Sequence, residues 1–180
     1  YVSNVRLKKD DGTWWEEPES YHLICAKCED KDFFNMTDVP GGTYTEMEYT
    51  LGVDSARNVS GSQTGDLSPT KGMFWSWNTG YIMLKAEGQS PQSESGGFTF
   101  HLGGFSGENS IVTDKSFTFG DKVVAVSENA TPTVEFMCNP ARLWHSSPSI
   151  SEDSKIHMPS SEAKTMALAF YSNVSYAGIR

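Results

Sequence analysis

The chain has 180 residues, 37% of them hydrophobic and 21% charged, with 23 acidic residues against 14 basic ones and a formal net charge of −9. Such a composition describes an ordinary globular chain long enough to bury a core, and it excludes a disordered tail. The acidic surplus excludes nucleic acid or an anionic membrane surface as the main partner, while a metal cation or a basic protein stays open.

Period-two alternation predicts a first strand over residues 1–8, ended by the turn formers Asp10, Asp11 and Gly12. The chain opens inside that pattern, with neither an initiating Met nor a signal segment. The expectation is a processed or truncated N-terminus from which an export signal has been removed. A second short strand is predicted over 21–25, and Cys25 and Cys28 then form a C-x-x-C. A redox C-x-x-C normally sits at a helix N-terminus, where the dipole lowers the thiol pKa. Here a strand-like segment precedes it and four charged residues, Glu29 to Asp32, follow. A zinc site would need two further ligands, and the sequence has neither a second C-x-x-C nor a paired His. The pair is read as structural or as a local disulfide, with Cys138 far away in sequence. His22, three residues before Cys25, keeps a metal reading of this segment open.

Pro40, Gly41 and Gly42 make a turn before a strand predicted over 43–51, which carries Tyr44, Met47, Tyr49 and Leu51. Residues 52–72 are rich in Gly, Ser, Asn and Asp and form a long connection of the kind usually kept for function. Asp54, Arg57 and Asn58 are expected to hold it through side-chain to backbone hydrogen bonds. The stretch 73–85 is the most aromatic of the chain. If it runs as one unbent strand, Met73, Trp75, Trp77 and Tyr81 share a face. Further strands are predicted over 98–102, 116–119, 122–126 and 133–137. In the first of these, Phe98 and Phe100 take one face and Thr99 and His101 the other. Only 160–171 reads as helix, with Ser160 or Ser161 as cap and Ala163, Met166, Ala167 and Phe170 at helical spacing. The sum is an all-β chain, an antiparallel β-sandwich or Greek-key domain spanning 1–180, with one short helix near the C-terminus. No apolar run reaches the roughly 18 residues that a membrane span requires.

Catalytic signatures are missing. The sequence contains no G-x-S-x-G elbow, no H-E-x-x-H and no phosphate-binding loop. The neighbouring carboxylates Glu16 and Glu17, and Glu46 and Glu48, are expected in turns or on solvated strand faces rather than as a glycosidic acid and base. The chain is therefore read as a non-enzyme. Its histidines are His22, His101, His145 and His157.

One segment is far more specific. After Gly52, Val53 and the loop holding Asn58 come Leu67, Ser68 and Pro69, then Gly72-Met73-Phe74-Trp75-Ser76-Trp77-Asn78-Thr79-Gly80-Tyr81, and later Phe98-Thr99-Phe100-His101-Leu102-Gly103. The opening Ser3-Asn4-Val5-Arg6-Leu7, the Val39-Pro40-Gly41-Gly42-Thr43-Tyr44 turn and the Met-containing helix before a last aromatic strand complete the pattern. In these features the chain resembles the MbnP-like family of bacterial copper-associated proteins over nearly its whole length. The resemblance implies an exported protein of the periplasm or cell surface, with a lipid anchor upstream as one means of attachment. It implies copper held by His and by a tryptophan oxidised to kynurenine, the oxidation being the work of a dihaem partner of the cytochrome c peroxidase type. Imidazole nitrogen and thioether sulfur are good copper ligands. An indole offers a metal no lone pair, whereas the aniline and ketone of kynurenine do. Position by position, the expected site residues are Met73, Trp75, Trp77 and His101, with His22 as an outlying candidate. The chain departs from the copper-binding branch at Val59, where its members tend to carry His, and at Phe74 and Ser76, where some do, and it lacks the family's cysteine after His-Leu-Gly. The alternative is a non-catalytic extracytoplasmic module whose aromatic patch binds a glycan, peptide or protein.

Overall fold

The structure is a computed structural model, and it describes residues 1–75, 80–145 and 149–180. Twelve strands run through the described residues in the order β1 (Val2–Lys9), β2 (Trp14–Glu16), β3 (Tyr21–His22), β4 (Gly42–Leu51), β5 (Phe74–Trp75), β6 (Gly80–Gln89), β7 (Gly97–Gly103), β8 (Thr113–Thr118), β9 (Val124–Val126), β10 (Val134–Met137), β11 (Lys155–Ile156) and β12 (Ser175–Ile179). The α-helices among the described residues are α1 (Ser55–Val59) and α2 (Ser161–Tyr171), with short 3-10 turns at Gly65–Leu67, Pro69–Lys71 and Pro140–Trp144. A six-stranded sheet has the order β2-β1-β4-β8, with β3 also on β1 and β9 also on β4. A four-stranded sheet has the order β11-β7-β6-β5, and β10 and β12 form a separate pair. Every pairing is antiparallel except β11 with β7. The expected all-β sandwich is what the chain forms.

Alternation explains how the sheets close on each other. From β1, Val5 and Leu7 are buried, and from β4 Tyr44, Met47, Tyr49 and Leu51. Met83 on β6 and Phe100 and Leu102 on β7 meet them in one core cluster, together with Ala163, Met166, Ala167 and Tyr171 of α2. The helix begins where its sequence says, since the Ser160 hydroxyl accepts from the Ala163 N–H at 3.1 Å. Burying such aromatic and branched side chains contributes about 1.5–3 kcal/mol each, which makes this cluster the main source of stability.

Two expectations need correcting. The aromatic stretch 73–85 is not one unbent strand. Phe74 pairs with Tyr81 and Trp75 with Gly80, so the chain reverses on itself between β5 and β6. Trp77 lies outside the described residues. Nor is the segment expected at 160–171 the only helix, because Asp54 accepts from the Arg57 N–H at 3.0 Å and starts α1. A single capped turn is too short to leave a periodic apolar signature.

Candidate functional site

The four-stranded sheet has two different faces. Phe100 and Leu102 of β7 point into the main core. Thr99, His101 and Gly103 alternate with them and take the other face. Near β5 that face is covered by a second apolar cluster of Tyr1, Val53, Leu67, Met73, Trp75, Tyr81 and Ile82. Further along, the same face turns polar at Lys85, Glu87, Thr99 and His101, where Lys85 pairs with His101 and Glu87 with Thr99 in register. A register irregularity between Ile82 and Leu84 separates the two zones on β6.

Trp75 belongs to the apolar zone and is 5% exposed. Its six-membered ring packs against Gly103 through Cζ3 and Cη2. A Cβ at Gly103 would stand 2.5 Å from Trp75 Cζ3, 2.6 Å from Cη2 and 2.7 Å from the Tyr81 carbonyl oxygen. Gly103 is thus the position where only hydrogen leaves room for the indole. Met73 is buried in the same cluster, and its carbonyl accepts from the Ile82 N–H at 2.9 Å. The connection 52–72 wraps this zone and is clamped by Asn58, which is 1% exposed. Asn58 Nδ2 donates to the carbonyls of Val53 at 2.7 Å and Asp54 at 2.9 Å, and Oδ1 accepts from the Tyr81 N–H at 2.9 Å. The expected holding role of Asp54 and Asn58 is therefore what the side chains perform.

His101 stands on the same strand face as Gly103, two residues and about 7 Å of chain away. Its Nε2 lies 2.7 Å from Glu87 Oε1. A carboxylate only accepts, so Nε2 is the donor, and in the neutral ring the lone pair is then on Nδ1. The hydrogen bond from His101 is the main reason that the Glu87 carboxyl is held below the usual range, with Lys85 adding to it against desolvation. Lys85 Nζ is 3.4 Å from the same carboxylate oxygen. The His157 ring is stacked on His101, with centroids 4.5 Å apart and planes at 16°. His157 Nε2 lies 2.7 Å from Thr99 Oγ1. Burial, then the neighbouring His101 and Lys155, lower the pKa of His157, with Glu87 opposing.

His157 and Glu87 were not among the residues expected at this site. The parallel pairing of Lys155 with Thr99 and Ile156 with Phe100 brings His157 level with His101. His22 is placed elsewhere, on β3 in the six-stranded sheet, with Nε2 2.8 Å from Glu17 Oε2 and its ring stacked on Phe34 at 3.8 Å. The Glu17 side chain is only 7% exposed and also accepts from Ser20, contrary to the solvated role expected of it. Cys25 and Cys28 form a disulfide, and Cys138 is free and exposed.

These residues can be tested as a copper site by their donor chemistry. Among the described residues no group of three or more His, Cys, Asp and Glu stands ready to hold a metal ion. What is present is an imidazole backed by a carboxylate, the arrangement that fixes the tautomer of metal-binding histidines. A second imidazole lies beside it, and a buried thioether and indole lie further along the same sheet. That donor set fits a nitrogen-bound copper ion at the polar end of the face.

The described residues thus form an all-β sandwich with one sheet face divided between packed aromatics and a paired-imidazole cluster. A family model described as MbnP matches residues 1–161, and the chain belongs to that family. No curated protein and no solved structure matches it. No helix among the described residues is long and apolar enough to cross a membrane.

Proposed function

We propose that this member of the MbnP family is a non-catalytic, extracytoplasmic copper-binding protein whose principal ligand is His101. The observation that carries the reading is the carboxylate-backed His101, standing two residues from the glycine on which Trp75 rests. Nδ1 of His101 offers the lone pair, and Glu87 holds the ring in the orientation and tautomer that leave it available. Copper bound there would sit at the polar end of a sheet face whose other end is dry and aromatic.

Family membership supports the second part of the proposal, in which Trp75 or Trp77 is oxidised to kynurenine by a dihaem partner of the cytochrome c peroxidase type. That change breaks the indole C2–C3 bond and inserts two oxygen atoms, supplied by O2 or by two equivalents of peroxide. Hydrolysis then releases C2 as formate. The side chain loses one carbon and gains one oxygen, which mass spectrometry of the intact protein reads directly. The burial of Trp75 and Met73 weighs against the alternative in which these side chains form an exposed stacking platform for a glycan.

The test is the metal content of protein loaded with Cu(I) and then desalted, wild type beside His101→Ala. Near-stoichiometric copper that the variant loses supports the proposal. Protein that emerges without copper in both forms overturns it.

A further inference from the structure

Resting on the reading of His101 as a copper ligand, we propose that His157 is the second imidazole of that site, so that one copper ion is held between β7 and the parallel edge strand β11. The two rings belong to segments about 56 residues apart in sequence, yet their centroids are 4.5 Å apart and nearly parallel. Two imidazoles that share one ion place their donor nitrogens within about 4 Å of each other, since each metal–nitrogen bond is about 2 Å. The ring centroids, at 4.5 Å, already lie close to that separation.

The hydrogen bonds divide the nitrogens of both rings in the same way. Nε2 of His101 is engaged by Glu87 and Nε2 of His157 by Thr99, which leaves Nδ1 of each ring for the metal. Glu87 and Thr99 are themselves opposite each other in the β6–β7 ladder, so one register fixes both supporting groups. The charges around the pair are Glu87, Lys85 and Lys155. With two cationic side chains and one carboxylate about it, the site favours the singly charged Cu(I) ion over divalent ions. Two neutral imidazole nitrogens are sufficient donors for Cu(I). An ion held by both rings would also fasten β11, a strand of only two residues, to the sheet.

The experiment compares wild type, His101→Phe and His157→Phe, because phenylalanine keeps a stacking ring while removing both nitrogens. Cu(I) affinity is measured by competition with a chromophoric chelator, and X-ray absorption of the Cu(I) protein counts its imidazole ligands. The expected result is two imidazoles in the wild type, one in His157→Phe, and a Kd raised about 100-fold or more by either substitution. Unchanged affinity and ligand count in His157→Phe, with copper lost from His101→Phe, would overturn the role of His157 and leave the reading of His101 standing. A wild-type protein that binds no copper would overturn both.

Discussion

Gly103→Ala tests whether the indole of Trp75 is seated as described. The backbone at Gly103 lies outside the left-handed region, so alanine meets no conformational penalty and gains the usual advantage of a less flexible unfolded chain, about 0.4–1 kcal/mol. Against this stands a steric conflict on two sides. The new methyl would lie 2.5 and 2.6 Å from two ring carbons of Trp75 and 2.7 Å from the Tyr81 carbonyl oxygen, which belongs to the neighbouring strand. Overpacking of this kind costs about 1–3 kcal/mol. The net expectation is a loss of about 1–2 kcal/mol, or a fall in Tm of roughly 2–8 °C for a chain of this size. Thermal unfolding followed by circular dichroism measures it. Because two of the three close atoms belong to Trp75, the loss should shrink when Gly103→Ala is combined with Trp75→Leu, giving a coupling of at least about 0.5 kcal/mol in a double-mutant cycle. An unchanged Tm, or strict additivity of the two substitutions, would refute this packing.

Asn58→Ala should destabilise the protein by about 1–3 kcal/mol in urea unfolding, because it leaves the Tyr81 N–H and two carbonyls without the side chain that joins them. Burial raises the pKa of Asp54, but hydrogen bonds from the Tyr21 hydroxyl, the Arg57 N–H and Asn4 outweigh it and hold the carboxyl below its ordinary value. A carboxylate depressed in the folded state contributes stability above its unfolded pKa of about 3.9 and loses it as pH falls through the folded value. The Tm difference between wild type and Asp54→Asn should therefore be largest near neutral pH and close below about pH 4; a constant difference would count against the carboxylate's role. A thiol reagent added to the native protein should titrate one group, Cys138, and three after reduction in denaturant.

The parts of the fold that the sequence announces are those with a regular period. β7 alternates cleanly enough to set Phe100 and Leu102 against His101, β4 does so over Met47, Tyr49 and Leu51, and α2 carries its own cap at Ser160. The aromatic stretch was harder because a hairpin of bulky residues keeps the apolar character of a straight strand, and only the register of Trp75 with Gly80 reveals the reversal. At the candidate site His101 was legible from its motif, while His157 was not. A strand of two residues has no measurable period, and its parallel partner lies more than fifty residues earlier. Glu87 was hidden for a related reason, since a diagonal cross-strand contact depends on where the irregularity near Met83 resets the register. Glu17 shows the opposite error: a carboxylate next to a turn looks solvated until Ser20 and His22 are seen to close over it.

Both outer strands of the four-stranded sheet, β5 and β11, are two residues long. Unpaired backbone along a sheet edge is a template for joining another molecule, and very short border strands offer too little of it to start a fibre. Without β11, the long strand that carries His101 would present one open flank along its length. By covering Thr99 and Phe100 on that flank, β11 narrows the stretch of β7 that another chain could extend, and it does so with the segment that also brings His157 beside His101.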